Sequence, residues 1–177
     1  MLLLAAGCAV TPLRLAVTPP TLAAASLEGT WHVQATTFPM WLEGTKRAPR
    51  FTYSNPITQE GVSTLDDQVS YEDRGETGTI EGIDTQSARV PTHFTWRGRG
   101  VLALFKSEWD LVYRSPDGSW AVITFSPTLA TPAGLDVISR SPTMDDESWS
   151  EAVKLIEGST ELKALGRGLQ RLPVRDR

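Results

Sequence analysis

Gly29-Thr30-Trp31-His32-Val33-Gln34-Ala35 is the stretch that decides how this chain is read. Successive residues of a strand point to opposite faces, so Trp31, Val33 and Ala35 fall together, opposite Thr30, His32 and Gln34. The same signature recurs downstream: Phe51 and Tyr53 share a face, as do Phe94 and Trp96, and so do Val101, Ala103 and Phe105. One face of each run is apolar and the other mixed.

Short runs rich in Val, Ile, Thr, Tyr, Phe and Trp, separated by Gly, Pro, Asp, Asn and Ser, fill the chain to about Arg140 without helical periodicity of useful length. The pattern predicts antiparallel strands near residues 29–37, 50–55, 65–72, 78–84, 92–97, 100–106, 108–114, 119–125 and 134–140. They count as eight when 108–114 and 119–125 are taken as one hairpin, and as nine otherwise. Arg97-Gly98-Arg99-Gly100 and Ser115-Pro116-Asp117-Gly118 supply glycines for tight turns. A closed up-and-down barrel with an apolar interior satisfies the alternation and removes exposed sheet edges.

Past Pro142 the period changes. Trp149, Ala152, Val153, Leu155 and Ile156 recur at helical spacing, with Thr143 as the expected N-cap and Asp145, Asp146 and Glu147 at the positive end of the dipole. The stripe predicts one amphipathic helix packed outside the barrel and stopped at Gly158. Leu162 to Leu165 would prolong it, and Leu169 to Val174 would add a short edge strand. The fold class expected is therefore all-β, an eight- to nine-stranded antiparallel barrel with one C-terminal helix.

The 177 residues carry 17 Lys plus Arg against 21 Asp plus Glu, a net charge of −4, which excludes electrostatic capture of nucleic acid as the main activity. With 40% hydrophobic and 21% charged residues the composition is that of one ordinary globular domain. Cys8 is the single cysteine, so no intrachain disulfide and no Cys-rich zinc site can form. The run Met1 to Gly7 is too short to span a bilayer. Leu4-Ala5-Ala6-Gly7-Cys8 resembles a bacterial lipobox, in which the cysteine becomes the lipid-modified first residue. The organisation expected is a truncated signal and lipobox region (1–7), an anchor cysteine with a Pro-interrupted linker (8–26), and a barrel with helix and tail (27–177).

Gly29-Thr30-Trp31 opening the first strand, a meander, and then Leu135-Asp136-Val137-Ile138-Ser139-Arg140-Ser141-Pro142-Thr143 leading into one helix together resemble a lipocalin. The late segment is similar to bacterial outer-membrane lipocalins, which are lipoproteins. Phe38-Pro39-Met40-Trp41, Leu65-Asp66-Asp67, Gly82-Ile83-Asp84-Thr85, Trp96-Arg97-Gly98-Arg99-Gly100 and Thr131-Pro132-Ala133-Gly134 look closer to a lipocalin-like branch of bacteria and fungi. The resemblance implies that Trp31 closes the barrel bottom, that Gly29 admits a tight approach of the chain, and that the Arg140 guanidinium lies over the indole. It also implies an envelope protein, an outer-membrane lipoprotein facing the periplasm, anchored through Cys8.

Phe38, Met40 and Trp41 fall in the connection expected across the open mouth, either as an adaptable apolar lid or as ordinary rim packing. Phe51, Tyr53, Trp96 and Trp109 are the candidates for a cavity wall, the alternative being a small barrel filled by its own side chains. His32 and His93 lie opposite Trp31 and Phe94 and point outward. Asp66-Asp67, Glu72-Asp73 and Asp145-Asp146-Glu147 form no acid/base or metal constellation by position, and no G-x-S-x-G setting occurs. Arg97 and Arg99 read as a solvated turn, and Arg167, Arg171, Arg175 and Arg177 as a solvated tail or a headgroup contact.

The expectation is a binding protein for a small hydrophobic ligand such as a fatty acid or lysophospholipid, with no catalytic residue, cofactor or metal, and with oligomeric state open. An enzyme on the same barrel, similar to isomerases and cyclases of related calycin folds, is the alternative, with Tyr53, Glu108 and Asp110 as the polar residues to inspect. A filled barrel acting through its surface is the third.

Overall fold

The computed structural model describes residues 22–129 and 131–173. Cys8, the lipobox, Arg175 and Arg177 lie outside the described residues. The strands are β1 (Gly29–Thr36), β2 (Lys46–Gln59), β3 (Val62–Asp73), β4 (Glu76–Gln86), β5 (His93–Gly98), β6 (Lys106–Arg114), β7 (Trp120–Phe125), β8 (Gly134–Ser139) and β9 (Gln170–Arg171). The helices are α1 (Pro39–Leu42), α2 (Asp146–Gly158) and α3 (Thr160–Leu165). β2 through β8 pair in chain order, all antiparallel, and β1 pairs with both β8 and β2, so eight strands close into a barrel. The two residues of β9 add to the upper half of β1, through Ala35↔Arg171 and Thr36↔Gln170.

Local chemistry sets the hairpins. Glu60 and Gly61 join β2 to β3, and Arg74 and Gly75 join β3 to β4, all four at positive φ, which matches the right-handed twist of the flanking strands. At the β6–β7 turn the Asp117 carboxylate accepts from Ser115 Oγ, Ser119 N and Ser119 Oγ.

Several expectations change, three of them in the strands and the helix cap. Residues 100–106 are not a strand: Gly100–Leu102 is one 3₁₀ turn, and β5 pairs directly with β6 from His93↔Asp110 to Arg97↔Lys106. Consecutive i→i+3 bonds, Leu102 N to Arg99 O, Ala103 N to Gly100 O and Phe105 N to Leu102 O, coil this segment instead. Its alternating apolar residues therefore face water, with Val101 95% and Phe105 55% exposed, and Leu104 between them is 94% exposed as well. Second, the register slips between Val33 and Ala35. This bulge leaves Trp31 and Val33 in the barrel interior but turns Ala35 outward, beneath the helix. Third, Asp145, not Thr143, caps α2. Its Oδ1 accepts from Ser148 N at 2.8 Å, and an anionic acceptor beside the free amides outcompetes an earlier hydroxyl.

The apolar stripe of α2 buries Ala152 and Ile156 against Leu135, Val137, Trp120 and Val122 on the outside of the barrel. Helix α3 follows at once, because Ser159 Oγ accepts from Leu162 N and starts a new cap. Arg171 is held, not solvated: it donates to Met144 O at 2.7 Å and lies 5.1 Å from the Trp149 ring centroid. The last residues of the expected linker also belong to the fold. Leu22 and Ala24 are buried, and a 3₁₀ turn at Ala24–Leu27 crosses the barrel end.

Candidate ligand-binding site

Trp31 seals one end of the barrel. It is 0% exposed, and its indole N–H donates to Leu27 O at 2.8 Å. Arg140 Cζ lies 3.9 Å from the ring centroid, while Nη1 donates to Glu28 O at 2.7 Å and Nη2 to Ser26 O at 3.2 Å. A cation over an indole contributes roughly 0.5–2 kcal/mol, more as the pair loses water. Gly29 fits beneath this clasp for two reasons. Its φ is +100°, which L side chains avoid, and a Cβ there would stand 2.9 Å from Arg140 Nη1.

The other end holds a cavity of about 220 Å³. Pro39 starts the single turn of α1 at the position where its missing N–H costs nothing, and this turn carries Phe38, Met40 and Trp41 onto the rim. Phe51 and Tyr53 of β2, Trp96 of β5 and Trp109 of β6 line the wall below. All seven residues singled out in the sequence thus border one space. Phe94 stacks on Trp109 at 4.3 Å, Trp109 on Tyr53 at 6.0 Å, and Tyr53 on Phe51 at 6.5 Å. Phe125 then bridges Phe51 to Phe38, with its edge-on contact to Phe38 at 5.3 Å. An aromatic column runs from deep in the barrel to its mouth, and the interior is not filled.

The sequence reading missed the polar groups inside. Asp67 on β3 and Asp136 on β8 line the cavity, and Asp84 on β4 lies deeper. Both carboxyl oxygens of Asp136 are buried without a hydrogen-bond partner, as are Asp67 Oδ1, Asp84 Oδ2 and the Trp96 indole N–H. Asp84 Oδ1 accepts from Trp109 Nε1 at 2.8 Å. Burial pushes the Asp136 carboxyl up to about 7 against the opposing pull of the Thr36 hydroxyl. Burial, then the neighbouring Asp84, raises Asp67 well above the usual carboxylate range. Burial also raises Asp84, with the Trp109 N–H pulling it back. Tyr53 is raised by burial and then by all three carboxyls.

Alternation carried the signal. In Leu135-Asp136-Val137-Ile138 the outward residues Leu135 and Val137 pack under α2, which leaves Asp136 facing in with Ile138. Of the polar residues named for inspection, only Tyr53 faces the interior. Glu108 bonds Lys106 at 2.7 Å and Asp110 bonds His93 at 3.0 Å, both at the surface, because the parity that turns Trp109 in turns its two neighbours out. Among the described residues no group of three or more His, Cys, Asp or Glu side chains is arranged to hold a metal ion.

No protein-family model matches the chain, and no curated protein matches it in sequence. Solved structures do. Lobster apocrustacyanin A1 superposes with a TM-score of 0.61 at 12% identity, over 86% of this chain and 80% of that one. Apocrustacyanin C2 gives the same TM-score of 0.61 at 12% identity, over 85% and 79%. The siderocalin Ex-FABP, described as working through dual ligand specificities, gives 0.57 at 12% identity over 85% and 96%. What these superpositions share with the chain is the architecture, eight antiparallel strands closed through β1 with a helix outside: the chain has the lipocalin fold.

Proposed function

We propose that this protein binds and carries a small hydrophobic ligand without altering it chemically. The observation that carries the reading is an unfilled cavity walled by a continuous aromatic column and closed at its far end by Trp31. Affinity would come from apolar burial at roughly 25 cal/mol per Å², less the cost of ordering ligand and rim. The cavity lies below the roughly 300–1,000 Å³ usual for drug-sized ligands. A compact molecule would fit whole, whereas the acyl chain of a fatty acid or lysophospholipid would enter end-first and leave its head among Phe38, Met40 and Trp41. Native mass spectrometry of protein purified from its own cells should recover a bound small molecule. A clean apo mass, with no uptake from a mixed lipid extract, overturns the reading.

The lipobox-like run ending in Cys8 supports a placement in the bacterial envelope, with an acylated Cys8 tethering the barrel to the outer membrane on its periplasmic side. Replacing Cys8 by Ser and fractionating tests it: membrane association that survives the change discards the anchor.

One observation favours a second reading. Three buried carboxyls and Tyr53 could serve as proton donors and acceptors, as an isomerase- or cyclase-like activity on this barrel would require. Recovery of the bound molecule in two interconverted forms, with Asp136→Asn trapping one of them, would select that reading over carriage.

A further inference from the structure

The cavity combines two features that a purely apolar pocket does not have. Asp136 is 1% exposed, borders the space, and has only the Thr36 hydroxyl near it, with no well-formed hydrogen bond to either carboxyl oxygen. Asp67 Oδ1 adds a third such oxygen to the lining of the same space. Buried acceptors without partners are destabilising, and a protein that keeps them next to a void has left them for something that enters it.

Once ionised these carboxyls accept only, so what pairs with that form must supply donors. Among the described residues, none of those lining the cavity is Lys, Arg or His. Arg140 lies beneath Trp31, outside the sealed end, and is already bonded to Glu28 O and Ser26 O. The Trp96 indole N–H is the one buried donor without a full hydrogen bond at this wall, and it stands beside Asp67, where it favours the carboxylate, which leaves Asp136 without an N–H of its own. The surrounding faces of Tyr53, Trp109, Phe51 and Trp96 attract positive charge through their ring quadrupoles. An anionic headgroup would meet carboxyls and no cation.

From this arrangement we infer that the cavity selects a small organic amine, its ammonium donating to Asp136 and its apolar or aromatic body lying along the Tyr53–Trp109 column. The inference rests on the binding reading above and names the ligand class for it. Proton balance gives it a signature. The free Asp136 carboxyl holds its proton up to about 7, so capture of an ammonium expels that proton to solvent over the acidic side of neutrality. The groups that titrate around it are Tyr53 on β2, Asp67 on β3 and Asp84 on β4, with Arg140 acting on Tyr53 from below. Its cross-strand neighbours Thr36 and Ile123 do not titrate.

The test is calorimetry on the intact protein with three isosteric probes: phenethylamine, phenethyl alcohol and phenylacetate. At about pH 8 the amine should bind at least about tenfold tighter than the alcohol, and phenylacetate should not bind. Amine affinity should fall several-fold on lowering the pH to about 5, with proton release that changes the apparent heat between buffers, while the alcohol shows neither. Asp136→Asn should erase the amine's advantage and keep the alcohol. Asp67→Asn, on a different strand, should reduce that advantage less, and it serves if Asp136→Asn does not fold. An alcohol that matches or exceeds the amine, or an amine advantage untouched by Asp136→Asn, overturns this inference while leaving hydrophobic binding standing. No uptake of any probe, together with none from a lipid extract, takes down both.

Discussion

The two ends of the barrel are built on opposite accounts of their polar atoms. At the sealed end the clasp itself is fully used, the Trp31 N–H reaching Leu27 O and Arg140 Nη1 and Nη2 reaching carbonyls, and of the neighbouring guanidinium only Arg114 Nε lacks a partner. At the cavity, carboxyl oxygens of Asp67 and Asp136 and the Trp96 N–H go unpaired in a water-poor interior. The sealed end is organised for stability. The cavity gives up stability at named atoms, which is how binding sites differ from the cores that support them.

The contrast can be broken first at Trp31. Trp31→Ala removes a fully buried indole and the surface on which Arg140 rests, so urea denaturation should show a loss of about 3–5 kcal/mol. A loss under about 1 kcal/mol would mean that the seal carries no structural weight.

Asp136 should behave in the opposite sense. Its folded pKa lies above its unfolded one, so the folded state holds the proton more tightly. Stability is then greatest below about pH 4 as far as this group is concerned, and is lost as pH rises towards about 7. The apoprotein should melt higher at about pH 5 than at about pH 8. Asp136→Asn should lessen that slope, Asp67 and Asp84 supplying the remainder, and raise stability at about pH 8 by about 1–2 kcal/mol, since the amide still leaves unpaired donors. A variant less stable than the parent at that pH would show that Asp136 is paired after all.

Arg140→Lys comes next. An ammonium cannot both lie flat on the indole and serve two carbonyls, so thermal unfolding should register a loss of about 1–2 kcal/mol with probe binding in the cavity unchanged. Changed binding would mean that the two ends communicate. The smallest effect belongs to the β5–β6 loop. Val101→Ser and Leu104→Ser remove side chains that already face water, and stability should move by less than about 0.5 kcal/mol.

Much of the barrel was legible because alternation is a local property. Trp31, Phe51, Tyr53, Phe94 and Trp96 could be assigned to a common interior from parity alone, and all five are there. Parity fails where the backbone departs from a two-residue repeat. The bulge after Val33 turned Ala35 outward, and the coil after Gly98 made a chance alternation of Val101, Ala103 and Phe105 look like a strand. At Gly98 the cause is steric: a side chain there would strike the Leu102 backbone, so only glycine lets the loop fold back. The acids were the deeper failure. Alternation does place Asp67, Asp84 and Asp136 inside, but a sequence does not display which buried carboxyl meets an indole N–H, as Asp84 does, and which meets a void.

A barrel stopped by Trp31 has one door, and a single turn of helix stands in it. Whatever occupies such a vessel must leave by the way it came before a successor can enter. Replacement is then paced by departure alone: flooding the solution with a rival molecule cannot hasten it.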